Sequence, residues 1–234
     1  MNWLRTLLVF DRGNIAHSQD WQDVHTSYVN SINSIDFPEG DGTFTLRRKS
    51  RNPSTGKWRR NGVGYLKNRF IQGMVNEGWQ SEAQVNIEHL TWQPELRLYP
   101  SLESYREPIT SSFGDFDFLT ETESGLHVAI EWETGNISST HRSLNKLVIA
   151  LKAKQIDVGV LILPSRRLYE HLTDRIGNIG EISPYLNFWS SVESTVERGL
   201  LAISVVEQDE LTDSEDFPYL PSGNDGRARE GRGE

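Results

Sequence analysis

Apolar residues recur at helical spacing over residues 18–35. Trp21, Val24, Tyr28, Ile32 and Ile35 fall on one face there, with Ser18 as a candidate N-cap. Pro38, Gly40 and Gly42 then break the chain. The stretch 47–60 is polar, holds Pro53 and Gly56, and reads as an exposed loop. Helical spacing returns over 63–77 through Val63, Leu66, Phe70 and Met74, and Gly78 is a candidate C-cap. Further on the period changes. Phe116–Leu119 and Leu126–Glu133 read as strands, and the polar link Thr120–Gly125 makes them a hairpin. Thr140–Lys154 reads as a helix with Leu144, Leu147, Val148 and Leu151 on one face. Val158–Leu163 is a continuous apolar run ending at Pro164, as in a fully buried strand. Ser165–Ile176 reads as a second helix and Leu200–Val206 as a last strand. The order strand, strand, helix, strand, helix, strand predicts an α/β sheet covered by helices.

Composition narrows the class. The 234 residues suit one domain or at most two small ones. With 36% hydrophobic residues the chain has material for a core, which excludes a wholly disordered or collagen-like protein. No apolar run approaches the roughly 18–20 residues of a membrane span. The first residues, MNWLRTLLVFDRGN, lack a cleavage site and do not read as a signal peptide. The absence of cysteine removes disulfide scaffolds, thiolate zinc sites and cysteine nucleophiles, and fits a cytoplasmic home.

The net charge of -9 argues against binding nucleic acid through bulk charge, but the charge is uneven. Nine basic residues and no acid lie between Arg47 and Arg69. Residues 208–234 carry eight acids against three arginines, the composition of a flexible arm beyond a single domain over 1–207. A local basic patch still attracts a polyanion, because nearby charges dominate once salt screens beyond roughly 10 Å.

Strand residues two apart share a face, so Glu131 and Glu133 point one way, as do Asp115 and Asp117 on the partner strand. Closing the hairpin brings Asp117 close to Glu131, so three carboxylates converge. Crowded acids of this kind ask for a cation, and an all-oxygen set suits a hard metal such as Mg²⁺. Two other readings stand beside this one. An acid-x-acid pair is common on solvated strands, and paired carboxylates also drive glycoside hydrolysis. Next comes TGNISSTHRSLNKL, which places Asn136, Ser138 and Arg142 where strand gives way to helix. Asn and Arg read adenine and guanine edges by paired hydrogen bonds, although Ser138 and Ser139 equally suit helix caps.

The strings EWETGNISSTHRSLNKL, QIDVGVLILP and YEHLTDRIGN closely resemble the BamHI restriction endonuclease family. The resemblance is dense from Gly114 to Tyr185. It extends thinly to NGVGYLKNRF, GWQSE and the terminal FPYLPSGNDGRARE. It implies a restriction-endonuclease-like core, a central mixed β-sheet flanked by helices. That nuclease superfamily usually carries acid-x-lysine, and Glu133 stands at the lysine position, which is this family's own pattern. The resemblance makes Asp117, Glu131 and Glu133 the catalytic acids, with Glu82 a fourth. Mg²⁺ would be held by Asp117, Glu131 and Glu82, and Glu133 would activate water. It prefers Asp117 to Asp115, and Lys67 matches a lysine near the dimer interface.

Base reading carries over to Asn136, Ser138 and Arg142, and to Asp174 and Arg175, which otherwise read as a surface ion pair. Together they imply the palindrome GGATCC, cut after the first G by a homodimer on double-stranded DNA, with a methyltransferase as functional counterpart. Two rivals remain: a same-fold nuclease with another target, in repair or phage defence, and a DNA-binding protein that does not cut. The 47–60 loop has no close counterpart in the family. From its charge it is expected to grip the DNA backbone through Arg59 and Arg60. The family's C-terminal arm rearranges on DNA binding, and the acidic tail would correspond to it.

Overall fold

The computed structural model describes residues 1–83, 96–105, 114–173 and 176–221, without the side chains of 82, 83 and 96. A six-stranded sheet forms its centre. The strands are β1 (Asn2–Arg12), β5 (Gln80–Ala83), β8 (Phe116–Glu121), β9 (His127–Trp132), β10 (Val158–Pro164) and β11 (Gly199–Glu207), in the spatial order β1-β11-β10-β9-β8-β5. β9, β10 and β11 run parallel, and β1, β8 and β5 run antiparallel to their neighbours. The sheet is therefore mixed, and its parallel centre is buried on both faces, which explains the unbroken apolar run of β10.

Alternation divides the core into two. Val128, Ile130, Val160, Ile162 and Ala202 face α1 (Gln19–Asn33) and α2 (Gly64–Asn76). Ala129, Leu161, Leu163, Leu201 and Ile203 face α3 (Ile137–Lys152) and α6 (Leu186–Ser191). Helices thus cover both faces of the sheet. Ser18 caps α1 by accepting from Trp21 N, and Gly78 follows α2 at φ +88°. The remaining elements are short: β2 (Thr45–Arg47), β3 (Ser50–Arg51), β4 (Trp58–Arg59), β6 (Leu96–Arg97), β7 (Ser104–Tyr105), α4 (Arg166–Tyr169), α5 (Ile179–Ile182) and β12 (Glu210–Thr212).

Four elements differ from the sequence pattern. The 11-residue strand β1 was not legible, because two register shifts against β11 break its period of two. The helix expected over 165–176 is one turn, α4. Beyond it Asn61 takes the backbone bonds: its N–H donates to His171 O, and its carbonyl accepts from Thr173 N. The helix expected from Thr140 starts three residues earlier, at Ile137, with Asn136 rather than a serine as its cap. The stretch 47–60 is a hairpin, not a loop, since β3 pairs with β4. As far as residue 221 the acidic segment packs on the body. β12 lies parallel to β2, and Leu220 is buried. Among the described residues, no helix is long and apolar enough to cross a membrane.

Candidate active site

The β8–β9 register pairs Phe118 with Ile130, so the next step along sets Asp117 opposite Glu131. On the other side of β8, Ser81 pairs with Phe118 and Ala83 with Phe116, which sets the Glu82 backbone beside Asp117. Three acidic positions thus form one row across β5, β8 and β9. Glu133 follows just past the end of β9, its N–H donating to Ile162 O at 3.1 Å.

Glu131 and Glu133 are each only 7% exposed. Lys146 from α3 forms an ion pair with Glu131 and donates to Asp115 O at 2.8 Å. Its ammonium also lies over the Phe116 ring. Burial, with Asp117 and Glu133 nearby, pushes the Glu131 carboxyl up to about 7 against the opposing pull of Lys146. Asp117 accepts from Trp132 N at 2.8 Å and pairs with Lys67 of α2 at 3.2 Å. Glu133 accepts from Gly135 N and from Ser143 Oγ, and burial raises its carboxyl too. Gly135 is required here, because a Cβ would stand 2.7 Å from Glu133 Oε1 and 2.8 Å from Ser139.

The acids share one end of the sheet without closing on a single point. Among the described residues, no three acidic or histidine side chains come close enough to hold a cation together. Instead Lys67 and Lys146 supply the positive charge that the crowded carboxylates require. The donors are all oxygen, which matches a hard divalent cation in type.

Recognition candidates begin at the same end. Asn136 caps α3 by accepting from Ser139 N at 3.1 Å. Asn136, Ser138 and Arg142 are exposed, and Ser138 and Arg142 are four apart on one helical face. Asp174 and Arg175 lie outside the described residues. Their flanks are fixed: Ile176 bridges to Asn136, Gly177 N donates to Gly135 O, and Thr173 N donates to Asn61 O.

The family model of restriction endonuclease BamHI matches residues 1–227. The chain belongs to the BamHI restriction endonuclease family. Within that family it is 34% identical over 198 residues to the type II restriction enzyme OkrAI of Oceanobacter kriegii, covering 85% of each chain. It is 29% identical over 214 residues to the type II restriction enzyme BamHI of Bacillus amyloliquefaciens, covering 90% of this chain and 83% of that one. Among solved structures, the restriction endonuclease BglII complexed with a DNA 16-mer matches with a TM-score of 0.55 at 10% identity. That match covers 94% of this chain and 88% of the other, and shows the shared fold.

Three positions of this family member escaped the sequence pattern. Lys146, Ser143 and Asn61 are all buried polar residues: Lys146 meets Glu131, Ser143 meets Glu133, and Asn61 holds Thr173, the residue before Asp174. Lys146 and Ser143 broaden the buried face of α3 beyond its leucine stripe. A lysine on that face was the available signal.

Proposed function

We propose that this enzyme is a Mg²⁺-dependent type II restriction endonuclease that cuts double-stranded DNA at the palindrome GGATCC as a homodimer. One observation carries the reading. The acidic positions on the sheet lead to buried Glu131 and Glu133, and three residues after Glu133 Asn136 caps the helix that bears exposed Ser138 and Arg142. This nearness supports a reading in which hydrolysis and base reading share one end of the sheet.

Asp117, Glu131 and Glu82 would hold Mg²⁺, which when bound steadies negative charge on the scissile phosphate. Glu133 is held by Gly135 N and Ser143 Oγ and takes the proton from the attacking water. Lys146 keeps the Glu131 carboxylate in place from the α3 side. Arg142 offers paired donors to guanine, and Asn136 offers its amide to adenine. Each protomer addresses one strand of the palindrome about a shared two-fold axis.

The test is digestion of a plasmid carrying one GGATCC site, with Mg²⁺ and with EDTA. We expect metal-dependent linear product with GATC overhangs. Metal-dependent fragments at other sites keep the nuclease and discard the specificity. No cleavage of any DNA by folded, dimeric protein discards the nuclease in favour of a binding-only role.

A further inference from the structure

The 47–60 segment is built rather than loose. β3 and β4 pair Ser50 with Arg59 and Arg51 with Trp58. Asn52 closes the turn: its carbonyl accepts from Gly56 N at 2.8 Å, and its side chain accepts from Ser54 N and Thr55 N. Gly56 sits at φ +67°, which favours glycine, and its carbonyl accepts from Arg51 Nε at 2.8 Å. The segment holds seven basic residues and no acid. Arg51, Lys57, Trp58 and Arg59 are exposed, Trp58 by 54%, with the Lys49 ammonium 4.8 Å from its ring.

The acidic C-terminal segment divides this charge. Arg47 donates to the carbonyls of Glu215 and Phe217 and stacks on Tyr219. Arg48 pairs with Asp213 at 3.4 Å, and the Tyr219 hydroxyl donates to Arg48 O. The base of the hairpin is thus answered within the chain, while the tip is left facing solvent. Asn61 then fixes the base to the rest of the molecule. Its side chain donates to Arg47 O and His171 O and accepts from Leu220 N. Its carbonyl holds Thr173, the residue before Asp174.

Like charges and an exposed indole gathered on a two-stranded finger repel and leave apolar surface in water. A phosphate backbone relieves the repulsion, and sugar packing covers the ring. We propose that this hairpin is a second DNA-binding surface. Arg51, Lys57, Trp58 and Arg59 grip backbone phosphates and sugars outside the recognition sequence, and residues 213–220 brace the hairpin from behind. The proposal rests on the nuclease reading and extends it from the palindrome to its flanks.

The experiment is DNA binding across a salt series with Ca²⁺ in place of Mg²⁺. One duplex carries long flanks around GGATCC, and the other is trimmed close to it. For Lys57→Ser/Arg59→Ser we expect a slope of log affinity against log salt shallower by roughly 0.9 per lost charge on the long duplex. The trimmed duplex and the ratio of cognate to scrambled affinity stay unchanged. Arg48→Ser, whose charge Asp213 already answers, leaves the slope as it was. An unchanged melting temperature shows that the double variant is folded. Equal slopes for variant and wild type on the long duplex overturn the hairpin surface alone, since cleavage at the palindrome still stands. Failure of the wild-type chain to bind either duplex overturns both readings.

Discussion

Glu131 and Lys146 depend on each other. Each is buried, and each is the other's opposite charge. Removing one member of such a pair strands the other, at about 3–5 kcal/mol, whereas removing both together is often close to neutral. We expect Glu131→Ala to lose cleavage, keep DNA binding, and lower stability by about that amount in urea unfolding. Glu131→Gln/Lys146→Met should recover most of the stability and none of the cleavage. The raised Glu131 carboxyl sets a pH dependence as well. Between its ordinary value of 4.5 and about 7, the metal-free folded chain binds this proton and the unfolded chain does not. The stability it contributes is therefore full below about 4.5 and is lost as pH rises through about 7. Comparing urea midpoints of wild type and Glu131→Gln across that range measures it, and a flat difference contradicts it. The positions of Glu131 and Glu133 were legible in the sequence, because a period of two aligns acids on a strand without knowledge of what lies opposite; the same period left Asp115 and Asp117 open, and only the family resemblance preferred Asp117. Lys146 was not, because its partner arrives only when α3 packs on the sheet.

Among the elements, α3 joins the two halves of the site, and its first turn is tightly fitted. A Cβ at Gly177 would stand 2.0 Å from Thr140 Oγ1. Gly177→Ala should therefore destabilise by about 1–3 kcal/mol through overpacking. It should also weaken cognate DNA binding more than scrambled binding, because the start of α3 must shift. Thr140→Ala in the same chain should restore part of both, read by thermal melting and by affinity. Elements whose pattern depends on their own burial were legible: α1, α2, β9, β10 and β11 all carry clean stripes or apolar runs. Elements made by distant partners were not. β1 depends on its irregular pairing with β11, and the 47–60 hairpin is held by Tyr219, whose hydroxyl meets Ser50 Oγ. Residues 165–176 lost their helix to bonds from Asn61, more than 100 residues away in sequence.

At the scale of the molecule, charge is sorted by position rather than by total. A chain of net -9 gathers seven of its 24 lysines and arginines on one finger and answers those at the finger's base with its own acidic segment. Composition pointed to a flexible tail over 208–234; as far as residue 221, Tyr219 and Leu220 are among the residues that anchor the segment, which a balance of charge does not register. Leu220 is 2% exposed, and Leu220→Ala should cost about 2–5 kcal/mol. It should also speed hydrogen exchange across 45–51, where β2 and β3 lie, while exchange in β10 remains slow. Equal protection of 45–51 in variant and wild type would show that the brace does not hold the finger.

Only Thr134 and Gly135 separate Glu133, the proposed base, from Asn136, the first residue proposed to read DNA. Gly135 has no room for a side chain, and Glu133 leans on its N–H. On the proposed roles, target choice and cutting descend together as one stretch of chain. A lineage cannot acquire a new target by exchanging that stretch without risking its chemistry. It can alter the outward side chains at 138 and 142, which are exposed and carry no weight in the fold's interior. A library that varies those two positions should keep active clones, whereas one that varies 133–136 should return proteins that neither cut nor choose.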